Sequence, residues 1–274
     1  MIPARFDYEV AESVEQAIEL LGSDGDAKLL AGGHSLLPLM KLRFAQPTLL
    51  VDIGRLSELS YVREDGDRIA IGALTRHHDV ANSELLREAS PIVAHTASGI
   101  GDPQVRHMGT IGGSVAHGDP AADFPAVLVA LEAELVARGP DGERTIASGD
   151  FFRGFLETAL GPQEVLTEIR VPKLAGAGWA YLKFQRRAQD WATVGVAAVR
   201  SNGSARVALT NMGPTPVRAQ GVEDALASGA DPETASARAD EGTSPPSDTW
   251  ASAEYRRHLA QVLTRRALER AFSG

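Results

Sequence analysis

Two short segments combine a glycine pair with hydroxyl side chains, a combination suited to holding an anion. The first is LLAGGHSLLPLMKLR, Leu29 to Arg43, and the second is GTIGGSVAHGDPAADFPAVLVAL, Gly109 to Leu131. Glycine lets main-chain N–H groups approach a phosphate without a Cβ in the way. Ser35, Thr110 and Ser114 add hydroxyl donors. Two such segments in one half of the chain indicate two backbone loops around one elongated, phosphate-bearing ligand.

Taken alone, neither glycine pair is specific. Each precedes a predicted helix, whose N-terminus would add the positive end of a dipole. A tight strand-to-helix turn nevertheless explains either pair, taken singly, more simply than a ligand does. Neither segment is the dinucleotide motif G-x-G-x-x-G, and neither is a P-loop, because no Gly-Lys-Ser/Thr follows. The pattern by itself leaves both a pyrophosphate site and a structural turn open.

Composition excludes several kinds of chemistry. The chain has 274 residues and a net charge of -9, without a basic cluster that would track nucleic acid. It contains no cysteine, which excludes thiolate catalysis, cysteine-ligated zinc, ordinary iron–sulfur clusters and a flavin attached through sulfur. Redox chemistry would therefore need a bound organic cofactor or a partner chain. With no signal-peptide pattern and no apolar stretch of membrane-spanning length, we expect a cytoplasmic chain without membrane insertion.

The first half of the chain has the hydrophobic pattern of alternating helices and strands. Ser13 is predicted to cap the first helix, with Gln16 in the capping-box position and Gly22 at the end. A later helix is predicted to open at Ser90 and the proline after it. DFPAVLVALEAEL is predicted to be helical, with Asp123 as its cap. Strands are predicted at AKLLAG, TLLVDI and DRIAIGALT.

Strands dominate the second half. They are predicted at EVLTEIRVP, WAYLKFQRR, ATVGVAAVR and ARVALTNMG, the last two joined by the hairpin signal Ser-Asn-Gly-Ser. The stretch from Ala227 to Asp248 is predicted to be a helix end followed by a mobile loop. A final amphipathic helix, roughly Ala253 to Phe272, presents an apolar face made of Leu259, Val262, Leu263 and Leu268.

Read with their flanks, the glycine segments are far more specific. AGGHSLLPLMKLR, IGALTRHHDV, GTIGGSVAHGDPAADFP, EVLTEIRVP and KFQRRAQDWATVGVAAV closely resemble, in this order, the FAD-binding subunit of the molybdenum hydroxylases, the xanthine dehydrogenase and carbon monoxide dehydrogenase family. The resemblance extends to TNMGPTPVRA and ASAEYRRHLAQVLTRRAL near the C-terminus. It implies an α+β fold: a two-lobed FAD-binding domain of the vanillyl-alcohol-oxidase (PCMH) type and a C-terminal domain of sheet plus helices.

The domain boundary is predicted near Pro172 to Gly178. Residues 1–174 would form the FAD-binding domain, with lobes of about 1–57 and 58–174. Residues 175–274 would form a C-terminal domain of the carbon monoxide dehydrogenase flavoprotein type.

The resemblance also implies particular contacts with FAD. The two glycine loops would hold the pyrophosphate, and Asp123 would accept a hydrogen bond from a sugar hydroxyl of the adenosine. Lys183 would lie beside the flavin, where it could stabilise negative charge on the reduced ring. The implied FAD contacts are Leu29, Leu30, Ala31, Gly32, Gly33, His34, Ser35, Leu36, Ile100, Thr110, Ile111, Gly112, Gly113, Ser114, Asp123, Leu166, Lys183 and Trp191. Ile100 stands where related enzymes more often have an aromatic residue.

Some of these side chains allow other interpretations. GGHS also resembles the segment in which related flavin oxidases bond a histidine to the flavin, but the cofactor of this family is non-covalent, which favours His34 as a loop residue. Asp190 is either a proton shuttle or an ion-pair partner of Arg186 or Arg187. Trp191 is either a residue near the ring or a core aromatic. Four histidines and an aspartate could also be interpreted as metal ligands. Their spacing in the sequence is not the compact spacing of a metal site, which favours solvated or loop-stabilising roles for His77, His78, His107, His117 and Asp119.

The function implied by the resemblance is electron transfer within a larger complex. Non-covalent FAD would receive electrons from [2Fe-2S] clusters on a small partner, themselves supplied by a molybdopterin centre on a large partner, and would pass them to an external acceptor. A dimer of such heterotrimers is expected, and no metal or catalytic residue is expected on this chain. The absence of cysteine agrees with this division of cofactors among subunits, because iron–sulfur clusters would have to lie on a partner.

Two alternatives belong to other functional classes. A self-sufficient flavin oxidase or dehydrogenase would need its own substrate pocket and acid/base residues over the ring. A scaffold that had lost its flavin would lack intact pyrophosphate loops. The sequence leaves open whether the complex oxidises carbon monoxide, a purine, an aldehyde or an N-heterocycle, and whether the acceptor is quinone, NAD or oxygen.

Overall fold

Three sheets and a small hairpin organise the chain, which the computed structural model describes for residues 1–201 and 203–273. A parallel three-stranded sheet comes first, an antiparallel five-stranded sheet follows, and an antiparallel four-stranded sheet lies toward the C-terminus. This confirms the predicted mixture of helices and sheets. Within these described ranges, no helix is both long and apolar enough to cross a membrane.

The first sheet has the strand order β1-β3-β2. Its elements are β1 (Asp7–Val10), α1 (Val14–Ser23), β2 (Lys28–Leu30), α2 (Leu36–Leu42) and β3 (Leu49–Asp52). Helix α1 begins as predicted, because the Ser13 hydroxyl accepts a hydrogen bond from the Gln16 N–H at 3.1 Å. The Gln16 side chain instead accepts from the N–H of Glu12 at 2.6 Å. The prediction that Gly22 ends the helix is wrong, because Gly22 does not adopt the left-handed conformation of a glycine cap.

The five-stranded sheet has the order β4-β5-β10-β6-β7. The strands are β4 (Val62–Asp65), β5 (Arg68–Gly72), β6 (Glu134–Gly139), β7 (Gly142–Ala147) and β10 (Val165–Pro172), with the hairpin β8 (Phe152–Gly154) and β9 (Glu157–Thr158). The helices are α3 (His77–Asn82), α4 (Glu84–Ala89), α5 (Pro91–Ser98), α6 (Pro103–Met108), α7 (Ile111–His117), α8 (Asp123–Leu131) and α9 (Ser148–Phe151). Helix α8 is buried along its whole length and joins the core of this region.

The structure corrects three predictions around α7 and α8. The second glycine pair lies in the first turn of α7 and not in a loop, because a Cβ on Gly112 would lie 2.6 Å from the Ala73 carbonyl oxygen, so only glycine lets the helix start there. Helix α8 ends at Leu131, and the residues predicted to extend it form β6, which pairs with β10. Asp123 is the first helical residue of α8 and does not cap it.

The four-stranded sheet packs between helices on both faces. Its region contains β11 (Gly178–Phe184), β12 (Val194–Ser201), β13 (Ser204–Thr210), β14 (Val217–Arg218), α10 (Gln220–Ala227), α11 (Pro232–Ser236) and α12 (Ala253–Ser273). Tyr181, Ala197 and Ala208 face the core that contains α8, whereas Ala198 and Leu209 face α12. The sheet is therefore held against the first half of the chain.

Two predictions in this region have mixed outcomes. The predicted Ser-Asn-Gly-Ser turn includes Asn202, which lies outside the described residues, and β12 and β13 pair on either side of it. The predicted loop after Ala227 contains helix α11 and buries Ala235 and Ala239, because their small side chains pack against the core beneath α12. The predicted apolar face of α12 is confirmed for Leu259, Leu263 and Leu268, which are buried, whereas Val262 is only half-buried and lies outside the core cluster.

Candidate cofactor-binding site

A cleft of about 430 Å³ runs past both glycine segments, the start of α8 and the loop after β11. Nearly all of the predicted contact residues line it. They are Leu29, Leu30, Ala31, Gly32, Gly33, His34, Ser35, Leu36, Ile100, Thr110, Gly112, Gly113, Ser114, Asp123, Leu166 and Trp191. The two that do not line it are Ile111, which is fully buried, and Lys183, which bonds to Asp123. The structure thus brings the predicted set together around one space.

The loop between β2 and α2 offers unused backbone donors to this space. The N–H groups of Gly32, Gly33, His34 and Ser35 donate to no acceptor among residues 1–201 and 203–273. Gly33 has a φ of +72°, a left-handed conformation that glycine adopts without strain. Successive N–H groups in such a turn form a concave anion site. The first loop therefore has the donors that a phosphate requires.

The two segments touch each other through glycine. A Cβ on Gly32 would lie 2.2 Å from the carbonyl oxygen of Met108, so only glycine lets the first loop pack against the backbone before α7. A Cβ on Gly113 would meet the Thr110 hydroxyl at 2.7 Å and the Ala31 Cβ at 3.9 Å. Gly113 thus faces the first loop, and its missing side chain keeps the space between the two segments open.

The second segment differs from the prediction in its backbone donors, which are already occupied. The N–H of Ile111 donates to Thr75 O at 3.0 Å, and that of Gly112 donates to Ala73 O at 2.8 Å. The N–H of Gly113 donates to the Thr110 hydroxyl oxygen at 3.1 Å. What this segment can offer a ligand is its hydroxyl groups and the bare surface of Gly113.

Asp123 belongs to a buried polar group behind the cleft. Its carboxylate accepts hydrogen bonds from the Tyr181 hydroxyl at 2.5 Å and from the Lys183 ammonium at 3.1 Å. Lys183 also donates to the Gly99 carbonyl at 2.9 Å. Burial raises the pKa of Asp123, and the charge on Lys183 opposes that rise. Lys183 thus contacts the cleft lining through Asp123.

His77 is a lining residue that the sequence pattern did not separate from its neighbours. Its ring is buried, stacks on Phe124 with centroids 5.7 Å apart, and leaves Nδ1 without a partner among the described residues. Burial lowers the pKa of His77 to about 4, so the ring is neutral at pH 7. Helical spacing could have predicted that His77 is buried, since it lies three residues before the buried Val80 and four before the buried Ala81.

Two other histidines of the predicted set contact each other. His78 and His107 stack at 4.0 Å between ring centroids. Burial lowers the pKa of His117. Among the described residues, no three His, Asp or Glu side chains come close enough together to hold a metal ion.

Trp191 lies on the loop that joins β11 to β12. Its side chain is 54% exposed, so the interpretation as a core aromatic is wrong. Asp190 pairs with the Nε of Arg187 at 3.6 Å, which is the ion-pair alternative. Arg186 instead stacks on the ring of Trp250 at 3.9 Å. The loop therefore brings an exposed aromatic ring to the cleft.

Comparison with known proteins identifies the family. A family model described as the FAD binding domain in molybdopterin dehydrogenase matches residues 4–174, and one described as the CO dehydrogenase flavoprotein C-terminal domain matches residues 179–271. The chain belongs to the FAD-binding subunits of the molybdenum hydroxylases. It is thus a flavoprotein subunit of a molybdenum-dependent oxidoreductase of the carbon monoxide and xanthine dehydrogenase type, as the resemblance predicted.

Individual relatives agree over nearly the whole chain. The carbon monoxide dehydrogenase medium chain of Hydrogenophaga pseudoflava is 46% identical, with 100% of this chain and 99% of that one covered. A solved structure of carbon monoxide dehydrogenase from that organism superposes with a TM-score of 0.96 over the same shares. Quinoline 2-oxidoreductase from Pseudomonas putida 86 gives a TM-score of 0.93 at 31% identity, covering 100% and 99%. These matches confirm the predicted fold class.

Proposed function

We propose that the chain binds one FAD non-covalently in the cleft and acts as the electron-transfer subunit of its complex. Electrons would come from [2Fe-2S] clusters on a small partner, which a molybdopterin centre on a large partner supplies, and would leave to an external acceptor. The observation that carries this proposal is the row of N–H groups from Gly32 to Ser35, which donate to no acceptor in the described part of the chain and face Gly113 across the cleft.

The residues of the cleft fit the parts of FAD. The first loop would hold the pyrophosphate through its free N–H groups, and the hydroxyls of Thr110 and Ser114 would add donors opposite. Asp123, which is paired with Lys183 behind it, would meet a polar part of the cofactor. When bound, FAD accepts electrons singly and releases them singly or in pairs, which suits a link between one-electron clusters and a two-electron acceptor.

The charges in the cleft favour electron transfer over a self-sufficient oxidase. Among the described residues, each of the three carboxylates that line the cleft is paired with a cation, so none is a free general base for a substrate proton. The pairs are Asp123 with Lys183, Glu164 with Arg144, and Asp190 with Arg187. His77 is held neutral by burial. The intact first loop also argues against a scaffold that has lost its flavin.

The relatives support placing substrate choice on another subunit. They are named for carbon monoxide, glyceraldehyde, nicotine and caffeine, yet they are 46%, 38%, 37% and 35% identical to this chain along nearly its full length. One FAD-binding subunit design thus accompanies chemically unrelated substrates. We infer that a large molybdopterin-binding subunit selects the substrate, and that the chain assembles with it and the small subunit as a cytoplasmic dimer of heterotrimers without nucleic acid.

The test is to purify the complex, precipitate it with acid and analyse both fractions. FAD should appear in the supernatant, and mass spectrometry should find a large and a small partner together with molybdenum and iron. Flavin that stays on the precipitated chain would overturn non-covalent binding, and a His34→Ala variant would then show whether His34 carries it. A complex without flavin would overturn the proposed function.

A further inference from the structure

The loop after β11 is anchored directly behind Trp191. Ala192 is 1% exposed although Trp191 beside it is 54% exposed. The carbonyl oxygen of Ala192 accepts a hydrogen bond from Asn211 Nδ2 at 2.8 Å, and that of Thr193 accepts from Arg256 Nη1 at 2.5 Å. The side chains of Asn211 and Arg256, which are distant from this loop in the sequence, therefore fix the backbone directly after Trp191.

Asn211 ties this loop to the cofactor-binding half of the chain. It has a φ of +62°, the left-handed conformation that asparagine tolerates better than most residues. Its N–H donates to the carbonyl oxygen of Pro120 at 2.8 Å, on the segment that leads into Asp123. The same residue thus contacts the wall of the cleft with its backbone and the Trp191 loop with its side chain.

Arg256 is a buried cation whose contacts point to the same loop. It is 2% exposed, donates to Asp248 Oδ2 at 2.6 Å, and leaves Nε without a partner among the described residues. A buried ion pair often stabilises a fold no better than apolar residues of similar size would. Its geometric effect here is specific, because the guanidinium joins α12 and the Asp248 segment to Thr193, two residues after Trp191.

We propose that Asn211 and Arg256 are positioning residues that hold Trp191 over the cleft and so shield the flavin from solvent. The inference rests on the proposed function, because it assumes that FAD occupies the cleft. Neither residue lines the cleft, so each would act through the loop and not through contact with the cofactor.

The test variants keep the fold and remove the anchors. Asn211→Gly keeps the backbone N–H and the left-handed conformation but removes the amide that bonds to Ala192. Arg256→Lys keeps the charge but loses the fork that reaches both Thr193 and Asp248. Trp191→Ala is the reference for an unshielded flavin. Arg257→Lys is the matched control, because it makes the same substitution at the next residue of α12, which is exposed.

Two quantities are measured on the full chain: FAD per chain after acid release, and the constant for iodide quenching of flavin fluorescence. FAD content should stay at the wild-type level in Asn211→Gly, Arg256→Lys and Arg257→Lys. The quenching constant should rise in Asn211→Gly and Arg256→Lys toward that of Trp191→Ala, and adding either change to Trp191→Ala should raise it no further. Arg257→Lys should match the wild type.

The outcomes separate the two proposals. Wild-type chain without FAD would overturn the proposed function and this inference with it. Retained FAD with unchanged quenching in both anchor variants would overturn this inference alone. So would loss of FAD or of soluble protein in both, because anchors that act only through Trp191 leave binding and folding intact.

Discussion

Among the single residues of the cleft, the four glycines of the two pairs are needed for different reasons. Gly32 and Gly112 have backbone atoms where their side chains would be, Met108 O at 2.2 Å and Ala73 O at 2.6 Å. Gly33 has a left-handed backbone. Gly113 has neither constraint, and its missing side chain faces the first loop across the cleft. It is therefore the glycine whose replacement separates ligand binding from folding.

We expect Gly113→Val to abolish FAD binding while the fold survives. Gly113 lies in a helix, where valine is no worse than glycine, but the branched side chain would fill the space between the segments and press on the Thr110 hydroxyl. The measurement is FAD per chain after acid release, with circular dichroism as the check on folding. Gly149→Val is the control, because it lies in helix α9 with nothing within 4 Å of a Cβ. Wild-type FAD content in Gly113→Val would show that α7 is only structural.

His77 predicts how stability depends on pH. Its pKa is about 4 in the folded chain against an ordinary value of 6.5, so between these values the unfolded chain binds a proton that the folded chain does not. The free energy of unfolding therefore falls as the pH drops through this window, by about 2 kcal/mol at pH 5 from this residue.

Denaturant titration at neutral pH and at about pH 5 measures this dependence. In His77→Gln the loss of stability on acidification should be smaller than in the wild type by roughly that 2 kcal/mol. His258→Gln, on the exposed face of α12, should behave as the wild type does. An equal loss in His77→Gln and the wild type would contradict the assignment of a neutral buried ring.

At the scale of elements, periodicity and end signals predicted about half of the helices and strands in the described residues, and they failed where packing decides. The two glycines after Thr110 disfavour a helix intrinsically, yet α7 forms because only glycine fits against Ala73. The residues after Leu131 could continue a helix, but β10 offers them a strand partner. Likewise the cleft residues could be found from the family resemblance, whereas the Asp123–Lys183 contact and the free N–H groups depend on tertiary geometry.

The start of α7 leads to a prediction about this element as a whole. The Thr110 hydroxyl caps the helix by accepting from the Gly113 N–H, and its own hydrogen stays available for a ligand. Thr110→Val should cost about 1 kcal/mol of stability and weaken FAD binding, because it keeps the shape and removes both interactions. Thr110→Ser should retain both. Chemical denaturation and FAD titration measure the two effects, and equal FAD affinity in the Val and Ser variants would rule out a ligand contact from this hydroxyl.

At the scale of the whole molecule, the cleft is built by parts of the chain that are far apart in sequence. The first loop, α7, the start of α8 and the Trp191 loop all line it, and Lys183 on β11 reaches Asp123 at the start of α8. The cleft therefore depends on segments spread from residue 28 to residue 191. Two absences are equally informative: the sequence has no cysteine to bind a cluster, and the described residues place no unpaired carboxylate in the cleft.

These features predict that the chain without its partner subunits cannot oxidise a substrate. We expect the isolated, FAD-loaded chain to oxidise none of carbon monoxide, purines, aldehydes or N-heterocycles, because the acidic groups around the ring are already paired. Dithionite should still bleach its flavin and an artificial acceptor should recolour it, since those steps need only the bound cofactor. In the assembled complex one of these substrates should bleach the flavin, at a rate that depends on intact iron–sulfur clusters. Absorbance at the flavin band follows all of these reactions. If a substrate bleaches the flavin of the partner-free chain as fast as that of the complex, the proposed electron-transfer function is wrong and the chain is a self-sufficient oxidase.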